Sequence, residues 1–506
     1  MIVPVTDGGA IVGAAPGTRI AVIGGGPGGY EAALVATELG AEVTIVDRDG
    51  LGGACVLTDC VPSKTLIATS DLLTGLGSVG SLGVRVHSSE GTPTIASWDD
   101  DQPLCPPDVV DVDAGTVFGR VKALALSQSM DIARRLAREG VRVVQGSGRL
   151  VSPHEIVVTR AGGGEERVQA DVVLISTGAT PRAIEGSPTD GERILTWRDL
   201  YDLPSLPEHL VVIGSGVTGA EFASGFRALG SAVTLVSSRA RVLPGEDPDA
   251  AEVIDEVFRR RGITLLDHSR AGGVQRSEDG KGVVVTLTDG RTVEGSHALI
   301  AVGSVPQTGG LGLEDVGVKL DERGNIAVDR VSRTSVPGIY AAGDCTGVLL
   351  LASVAAMQGR IAMWHALGEA VAPLRLSTVA SNVFTDPEIA TVGVTAADVD
   401  EGRVAAKVVM LPLATNARAK MLGIRDGFVK LLCRPGSGTV IGGVVCAPRA
   451  SELVLPISLA VQNGLHADQV AYTFSVYPSL SGSITEAARQ AMNAIAGHEM
   501  PAPVNR

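Results

Sequence analysis

A strand that runs into a glycine-rich turn and then into a helix occurs twice in this chain, and few folds accommodate that arrangement. In the first copy Arg19-Ile-Ala-Val-Ile-Gly24 reads as a buried strand leading directly into Gly24-Gly-Gly26-Pro-Gly-Gly29. An alanine-rich helical pattern follows through Leu39, and Glu42-Val-Thr-Ile-Val-Asp47 gives a second strand that ends in an acid. Each position has a task in a dinucleotide fingerprint. Gly24 makes the turn, Gly26 lets backbone approach a pyrophosphate, Gly29 permits close helix packing, and Asp47 meets a ribose hydroxyl. Glycine spacing alone is weak, but strand, helix and acid together specify the motif. The second copy is Leu210-Val-Val-Ile-Gly214-Ser-Gly216-Val-Thr-Gly219-Ala-Glu221, followed by the strand Ala232-Val-Thr-Leu-Val236. Two fingerprints imply two dinucleotides.

The copies part where the second strand ends, at Ser237-Ser-Arg239 with Arg241 close by. An acid there holds an adenine-ribose 2′-hydroxyl and repels a 2′-phosphate, whereas serine with arginine accommodates the phosphate. The loop therefore predicts that NADPH binds at least as well as NADH.

Between the copies lies Leu51-Gly-Gly-Ala-Cys-Val-Leu-Thr-Asp-Cys-Val-Pro-Ser-Lys64, which reads as a redox disulfide beside a lysine. On a regular helix residues five apart point roughly 140° away from one another, so joining Cys55 to Cys60 demands an irregular turn. Pro62, which disfavours helix at the residue before it, favours such a turn. A strained, accessible bridge is of the catalytic kind rather than a structural staple. The alternative is a pair of thiols acting as small core hydrophobes. Cys105, Cys345, Cys433 and Cys446 have no partner motif and read as structural.

Length and composition set the class. A chain of 506 residues exceeds a single core and implies about three domains. With 45% hydrophobic residues and 64 glycines it reads as a globular α/β protein rich in tight turns. A net charge of −14 and a pI near 5.1 argue against nucleic acid as a partner. No apolar run approaches the ~20 residues of a membrane span. The stretch 1–18 lacks the basic start and apolar core of a signal peptide, so a cytoplasmic location is expected. No Cys/His cluster offers a metal site.

Along the rest of the chain, residues 77–113 are polar and rich in Gly, Ser, Pro and Asp, and read as an exposed loop or insertion. A helix is expected over 119–138, a strand over 141–145, a hairpin over 162–168 and a buried strand over 171–178. Ala298-Leu-Ile-Ala-Val-Gly303-Ser-Val-Pro306 repeats the pattern of Ile175-Ser-Thr-Gly-Ala-Thr-Pro181, and both read as returns to the first domain. Ile339-Tyr-Ala-Ala-Gly343-Asp344 offers a strand end with a carboxylate. From about 375 onward short strands and a helix over 452–462 predict a separate α+β domain.

With these residues assembled, the chain resembles the pyridine nucleotide-disulfide oxidoreductase family, flavoproteins that include dihydrolipoamide dehydrogenase and glutathione reductase. The resemblance covers nearly all of 19–490. It rests on the two fingerprints, on Gly-Gly-x-Cys-x4-Cys-x-Pro-x-Lys at 52–64, on Thr177-Gly-Ala-x-Pro181, on Tyr340-Ala-Ala-Gly-Asp344 and on Phe384-Thr-Asp-Pro-Glu388. It implies an α/β fold of two Rossmann-like dinucleotide-binding domains plus a C-terminal α+β dimerisation domain. The implied division is 1–181 with 299–372 for FAD, 182–298 for NAD(P) and 373–506 for dimerisation. By the resemblance the first fingerprint holds FAD and the second NADPH or NADH. Asp344 meets the flavin's ribityl chain, and Lys64 and Glu221 form an ion pair by the flavin N5. Further cofactor contacts are implied at Gly148, Thr177, Gly178 and Gly303. The partner is a second copy of the chain, as a homodimer or a higher oligomer built from it.

One motif fails. The family ends in His-Pro-Thr-x-x-Glu, contributed across the dimer, where the histidine exchanges protons with a cysteine thiol and the glutamate orients it. Here the chain has Tyr477-Pro-Ser-Leu-Ser-Gly482. Tyrosine, with an ordinary pKa near 10, is no ready base at neutral pH, and Gly482 orients nothing. Loss of general acid–base catalysis costs about 10²–10⁴-fold in rate, roughly 3–5 kcal/mol, which is too much for a dedicated disulfide reductase. A quinone that takes electrons from reduced flavin and protons from water needs no such dyad. The expected catalytic set is Cys55, Cys60, Lys64, Glu221 and Tyr477, and the expected activity is FAD-dependent NAD(P)H:quinone oxidoreductase, as in the actinobacterial quinone reductase branch that shares Val476-Tyr-Pro-Ser-Leu-Ser-Gly-Ser-Ile-Thr-Glu486. The alternative is a reductase of lipoamide or a low-molecular-weight disulfide using Cys55 and Cys60. A flavoprotein that binds FAD without turnover would have no need of charge at Lys64 and Glu221.

Overall fold

Strand Arg19–Ile23, buried along nearly its whole length, pairs in parallel with Glu42–Asp47 on one side and Val172–Ile175 on the other. The computed structural model that shows this describes residues 17–78, 86–87, 93–95 and 111–495. Arg142–Gln145 and Ile339–Ala341 complete the five-stranded parallel sheet at its two edges. Continuous Val/Ile/Leu runs are what a sheet covered on both faces requires. One face packs under helices Pro27–Glu38 and Ala352–Ala366, the other under a three-stranded antiparallel sheet, Ser147–Ser152, Glu155–Thr159 and Glu165–Gln169. The two helices touch through glycines, because a Cβ on Gly359 would come within 2.1 Å of the Gly28 carbonyl oxygen. These elements belong to one compact unit, of Met1–Pro62, Val121–Pro181 and Ser304–Arg375.

The second unit comprises Ser63–Arg120, Arg182–Gly303 and Leu376–Arg506. It repeats the parallel sheet in the order Ile194–Leu195, His297–Ile300, His209–Ile213, Ala232–Val236, Thr264–Leu266, again with a three-stranded antiparallel sheet beside it. It also holds a five-stranded antiparallel sheet, Ala380–Val383, Glu388–Gly393, Val440–Ala447, Phe428–Cys433 and Lys407–Pro412 in spatial order. Helices Leu455–Asn463 and Gly482–Ile495 cover its apolar face. The fold class is the expected one, two Rossmann-like α/β layers and a C-terminal α+β layer.

Two local expectations need correction. The helix expected over 119–138 is Ala114–Arg138, because Asp113 accepts from the Thr116 backbone N–H and hydroxyl and caps it earlier. The helix expected over 452–462 is two, Ala450–Leu453 and Leu455–Asn463, since Pro456 fits the first turn of a new helix and not the interior of an old one. Residues 77–113, read as an exposed loop or insertion, include a short antiparallel pair, Val86–His87 with Pro93–Ile95. Most of the rest of that stretch, with Cys105, lies outside the described residues, as does most of 1–18. Among the described residues no helix is long and apolar enough to cross a membrane.

Gly29 tests the packing logic. A Cβ there would lie 1.9 Å from the Gly24 carbonyl oxygen, a backbone atom that cannot swing aside. Gly29→Ala is expected to destabilise the protein by about 1–3 kcal/mol, read as a lower denaturant midpoint; Gly26→Ala, with nothing within 4 Å, is expected to leave that midpoint alone.

Candidate functional site

The two glycine turns have the same geometry. Gly24 and Gly214 have φ of 103° and 112°, a region where only glycine is comfortable, and their N–H groups donate to Val46 and Val236. Gly29 and Gly219 bring each helix against its own turn, with a built Cβ at 1.9 and 1.8 Å from the Gly24 and Gly214 oxygens. Helices Pro27–Glu38 and Val217–Ala228 then begin with no side-chain cap. At Gly26 and Gly216 a built Cβ meets no atom within 4 Å, so each helix N-terminus presents uncapped backbone to an approaching group. Uncapped N–H groups and the helix dipole together favour a phosphate there, and the residues present fit the two dinucleotides.

The turns differ in charge. Asp47 accepts from the N–H of Gly25 at 2.6 Å, of Asp49 at 2.9 Å and of Gly50 at 2.6 Å. Burial raises its carboxyl pKa above the ordinary value, and the backbone donors of Gly25, Gly50 and Asp49 pull it back. At the matching places of the second copy stand two hydroxyls, Ser215 and Ser237, 2.7 Å apart. Ser237 also accepts from the Arg239 N–H at 3.1 Å. The side chains of Arg239 and Arg241 are exposed, and the Arg241 guanidinium donates to the Pro248 carbonyl at 3.2 Å.

In the first unit, Cys55 lies in the short helix Gly53–Leu57 and Cys60 opens the helix Cys60–Ser78. The irregular turn expected between them falls at Thr58 and Asp59. Pro62 sits in the first turn of the second helix, where its missing N–H is not needed. Both cysteines are partly buried. Cys345, Cys433 and Cys446 are buried, as expected of structural residues. Asp344 follows the positive-φ Gly343, and burial, with a lesser contribution from Asp59, pushes its carboxyl up to about 6. Thr177 donates to the Gln307 carbonyl at 2.6 Å, and Gly178 accepts from the Gln307 N–H at 2.9 Å. Gly148 lies in strand Ser147–Ser152, with Val46, Ile156 and Ile23 where its Cβ would be. Gly303, at positive φ, precedes the short strand Ser304–Pro306.

In the second unit, Lys64 donates to Glu221 at 2.7 Å, and Glu221 is almost fully buried. The other Glu221 oxygen accepts from the Phe384 N–H at 2.9 Å, and Lys64 lies 4.9 Å above the centre of the Phe384 ring. A buried carboxylate with both oxygens engaged holds its cation in one place. Phe384 is a positioning residue that sequence reasoning missed. Its only signal was its place in the motif with Asp386 and Glu388, which names no task. In the first copy the residue matching Glu221 is Glu31, and it too pairs with a cation, Arg360 at 2.7 Å.

Tyr477 is exposed, as are Tyr472, Phe474 and Val476 beside it. It lines a cavity of about 420 Å³ with Ser475, Ser479, Gly482 and Thr485. His466 is the N-cap of helix Ala467–Ala471. Among the described residues no group of three or more His, Cys, Asp or Glu could hold a metal ion.

Comparison with known proteins agrees with this geometry. The family model described as pyridine nucleotide-disulphide oxidoreductase matches residues 18–359, and that of the family's dimerisation domain matches 379–488. A Mycobacterium tuberculosis protein named NAD(P)H dehydrogenase (quinone) is 55% identical over 484 residues, covering 94% of each chain. The dihydrolipoyl dehydrogenase of Haloferax volcanii is 33% identical over 94% of this chain and 97% of its own. The crystal structure of LpdA from M. tuberculosis superposes with a TM-score of 0.86 at 55% identity, covering 94% of this chain and 99% of that one.

The Asp344 carboxyl carries a pH signature. Its folded pKa of about 6 lies above its ordinary 3.8, so ionisation costs stability, and that cost grows as pH rises from about 4 to about 6. In flavin-stripped protein, Asp344→Asn is expected to remove this slope and to raise stability at pH 7 by on the order of 1 kcal/mol, measured by urea melts at pH 4.5 and pH 7.

Proposed function

The chain belongs to the pyridine nucleotide-disulphide oxidoreductase family, and on that footing we propose that it oxidises NAD(P)H and passes the electrons to a quinone. Its cofactors are FAD and NAD(P)H. FAD, when bound, accepts hydride from the nicotinamide and can release the electrons singly or in pairs. The chain's own residues do the rest. The first glycine turn and Asp344 hold the flavin, with Gly148, Thr177 and Gly178 around it. The second turn, with Ser237, Arg239 and Gly303, holds the nicotinamide nucleotide, and Arg241 joins Arg239 on a 2′-phosphate. Lys64, fixed by Glu221 and Phe384, keeps one positive charge at the hydride-transfer step. Domains of 1–181 with 299–372, 182–298 and 373–506 follow from these roles.

The observation that carries the quinone reading is an intact reductive apparatus beside a lost proton-transfer dyad. Lys64 and Glu221 are paired, while Tyr477 and Gly482 stand where a base and its orienting carboxylate are needed. A quinone accepts two electrons and two protons to become a hydroquinone, and water can deliver both protons. That the M. tuberculosis relative is named for the same activity supports the reading. Cys55 and Cys60 then store or relay electrons rather than reduce a disulfide substrate. The exposed aromatic residues at 472–477 and the match to a dimerisation domain support a homodimer, and a cytoplasmic location goes with the reducing environment a dithiol needs.

Purified protein is expected to oxidise NADPH or NADH rapidly with menadione and little with lipoamide or glutathione disulfide; the reverse ranking would sink the quinone assignment. The double variant Tyr477→His with Gly482→Glu is expected to raise lipoamide reduction by about tenfold or more. No gain in that assay would mean that the dyad is not what limits disulfide exchange.

A further inference from the structure

The loop from Ser237 to Asp247 is tied down at both ends. At its start Ser237 bonds Ser215 of the glycine turn, and further along the Leu243 N–H donates to the Ser215 carbonyl at 2.8 Å. Midway the Val242 N–H donates to Asp255 at 3.0 Å. At its end Asp247 caps helix Pro248–Arg260, accepting from the N–H groups of Asp249 and Ala250. The same Asp247 carboxylate is held from the antiparallel sheet. Lys430, on strand Phe428–Cys433, donates to its two oxygens at 2.6 and 2.7 Å and to Asp249 at 2.5 Å. The Lys430 side chain is 2% exposed and lies 5.3 Å from the Phe428 ring centre.

We propose that Lys430 is a positioning residue for recognition of the nucleotide's 2′-phosphate. The link runs through one residue. Lys430 fixes Asp247 and the first helical turn, Pro248 is the first residue of that turn, and its carbonyl holds the Arg241 guanidinium. Two carboxylates next to that carbonyl would repel a phosphate dianion at Arg241, and the lysine cation offsets one of them. Removing the cation both loosens the turn and leaves a second uncompensated negative charge. A phosphate feels that charge and a ribose hydroxyl does not, so NADPH must suffer more than NADH. The lysine comes from the sheet that belongs to the dimerisation domain, so nucleotide choice depends on a residue outside the nucleotide-binding segment. The inference rests on the proposed role of the Ser237–Arg241 loop in holding the 2′-phosphate.

The test uses the FAD-loaded protein with ferricyanide as acceptor, which keeps it independent of the quinone reading. Lys430→Met is expected to raise KM for NADPH about tenfold and for NADH by less than about threefold, with kcat for both within about threefold. Lys430→Arg is expected to keep most of the wild-type ratio, since it keeps the charge. Arg241→Ala is measured alongside. If it lowers the NADPH preference while Lys430→Met moves both nucleotides equally or neither, the role of Lys430 is overturned and the loop reading stands. If Arg241→Ala leaves the preference unchanged, the loop reading fails and this inference with it. Should Lys430→Met not yield folded protein, Asp249→Asn carries the test, because Asp249 is half exposed. Loss of its charge is expected to lower KM for NADPH by about two- to threefold without moving that for NADH; no difference between the nucleotides overturns the proposal.

Discussion

Everything in the two nucleotide layers depends on a contact in which a helix leans on the carbonyl of its own turn. Gly29 against Gly24, and Gly219 against Gly214, leave less than 2 Å for a Cβ, so no other residue fits without moving backbone. That contact brings the start of the helix to the end of the strand. The uncapped N–H groups of the first helical turn then stand at the carboxyl edge of a parallel sheet, where ligands of open α/β sheets bind. The same contact also places the end of the second strand beside the turn. In both copies the first glycine donates to that strand's last valine, Val46 or Val236, so the residue that follows is brought to the turn whatever its chemistry.

What that residue is decides the electrostatics. Asp47 brings a negative charge to the first turn and is held by three backbone N–H groups, which suits it to clamp the loop as well as to meet a ribose. Ser215 and Ser237 close the second turn with two hydroxyls and no charge. Two identical backbones thus differ by one formal charge, and the uncharged one has arginines on the loop that follows. Room for a phosphorylated nucleotide at the second turn is a matter of what has been removed as much as of what has been added.

The sequence carried the elements whose cause is local. Strand, glycine turn and helix are each specified by residues within a few positions of one another, and both copies stand where the pattern put them. The Lys64–Glu221 pair was legible only through a family resemblance, since no local rule links residues so far apart in the chain. Phe384 was legible only as a member of its motif, without a task, and Lys430 was not legible at all. A phenylalanine reads as core, and a lysine on a buried strand reads as an anomaly, until folding brings a carboxylate to each. The early start of helix Ala114–Arg138 was missed because an Asp cap had been read as the end of a polar loop, and the helix expected over 452–462 broke at Pro456.

The antiparallel sheet and the connection at 384–387 between two of its strands support the nucleotide layer of the second unit at three places. Phe384 donates to Glu221, Asp386 pairs with Arg261 at 2.6 Å, and Lys430 engages Asp247. Each is a charge-assisted contact, with Glu221 and Lys430 buried and Arg261 and Asp386 partly buried, and breaking one side of a buried contact leaves the other uncompensated. Tyr477 and Gly482 take part in none of them. The lost dyad therefore leaves the contacts that hold Lys64 and the nucleotide loop in place. A chain built this way can change its electron acceptor at an exposed segment while its reductive chemistry stays fixed, because the two depend on different contacts.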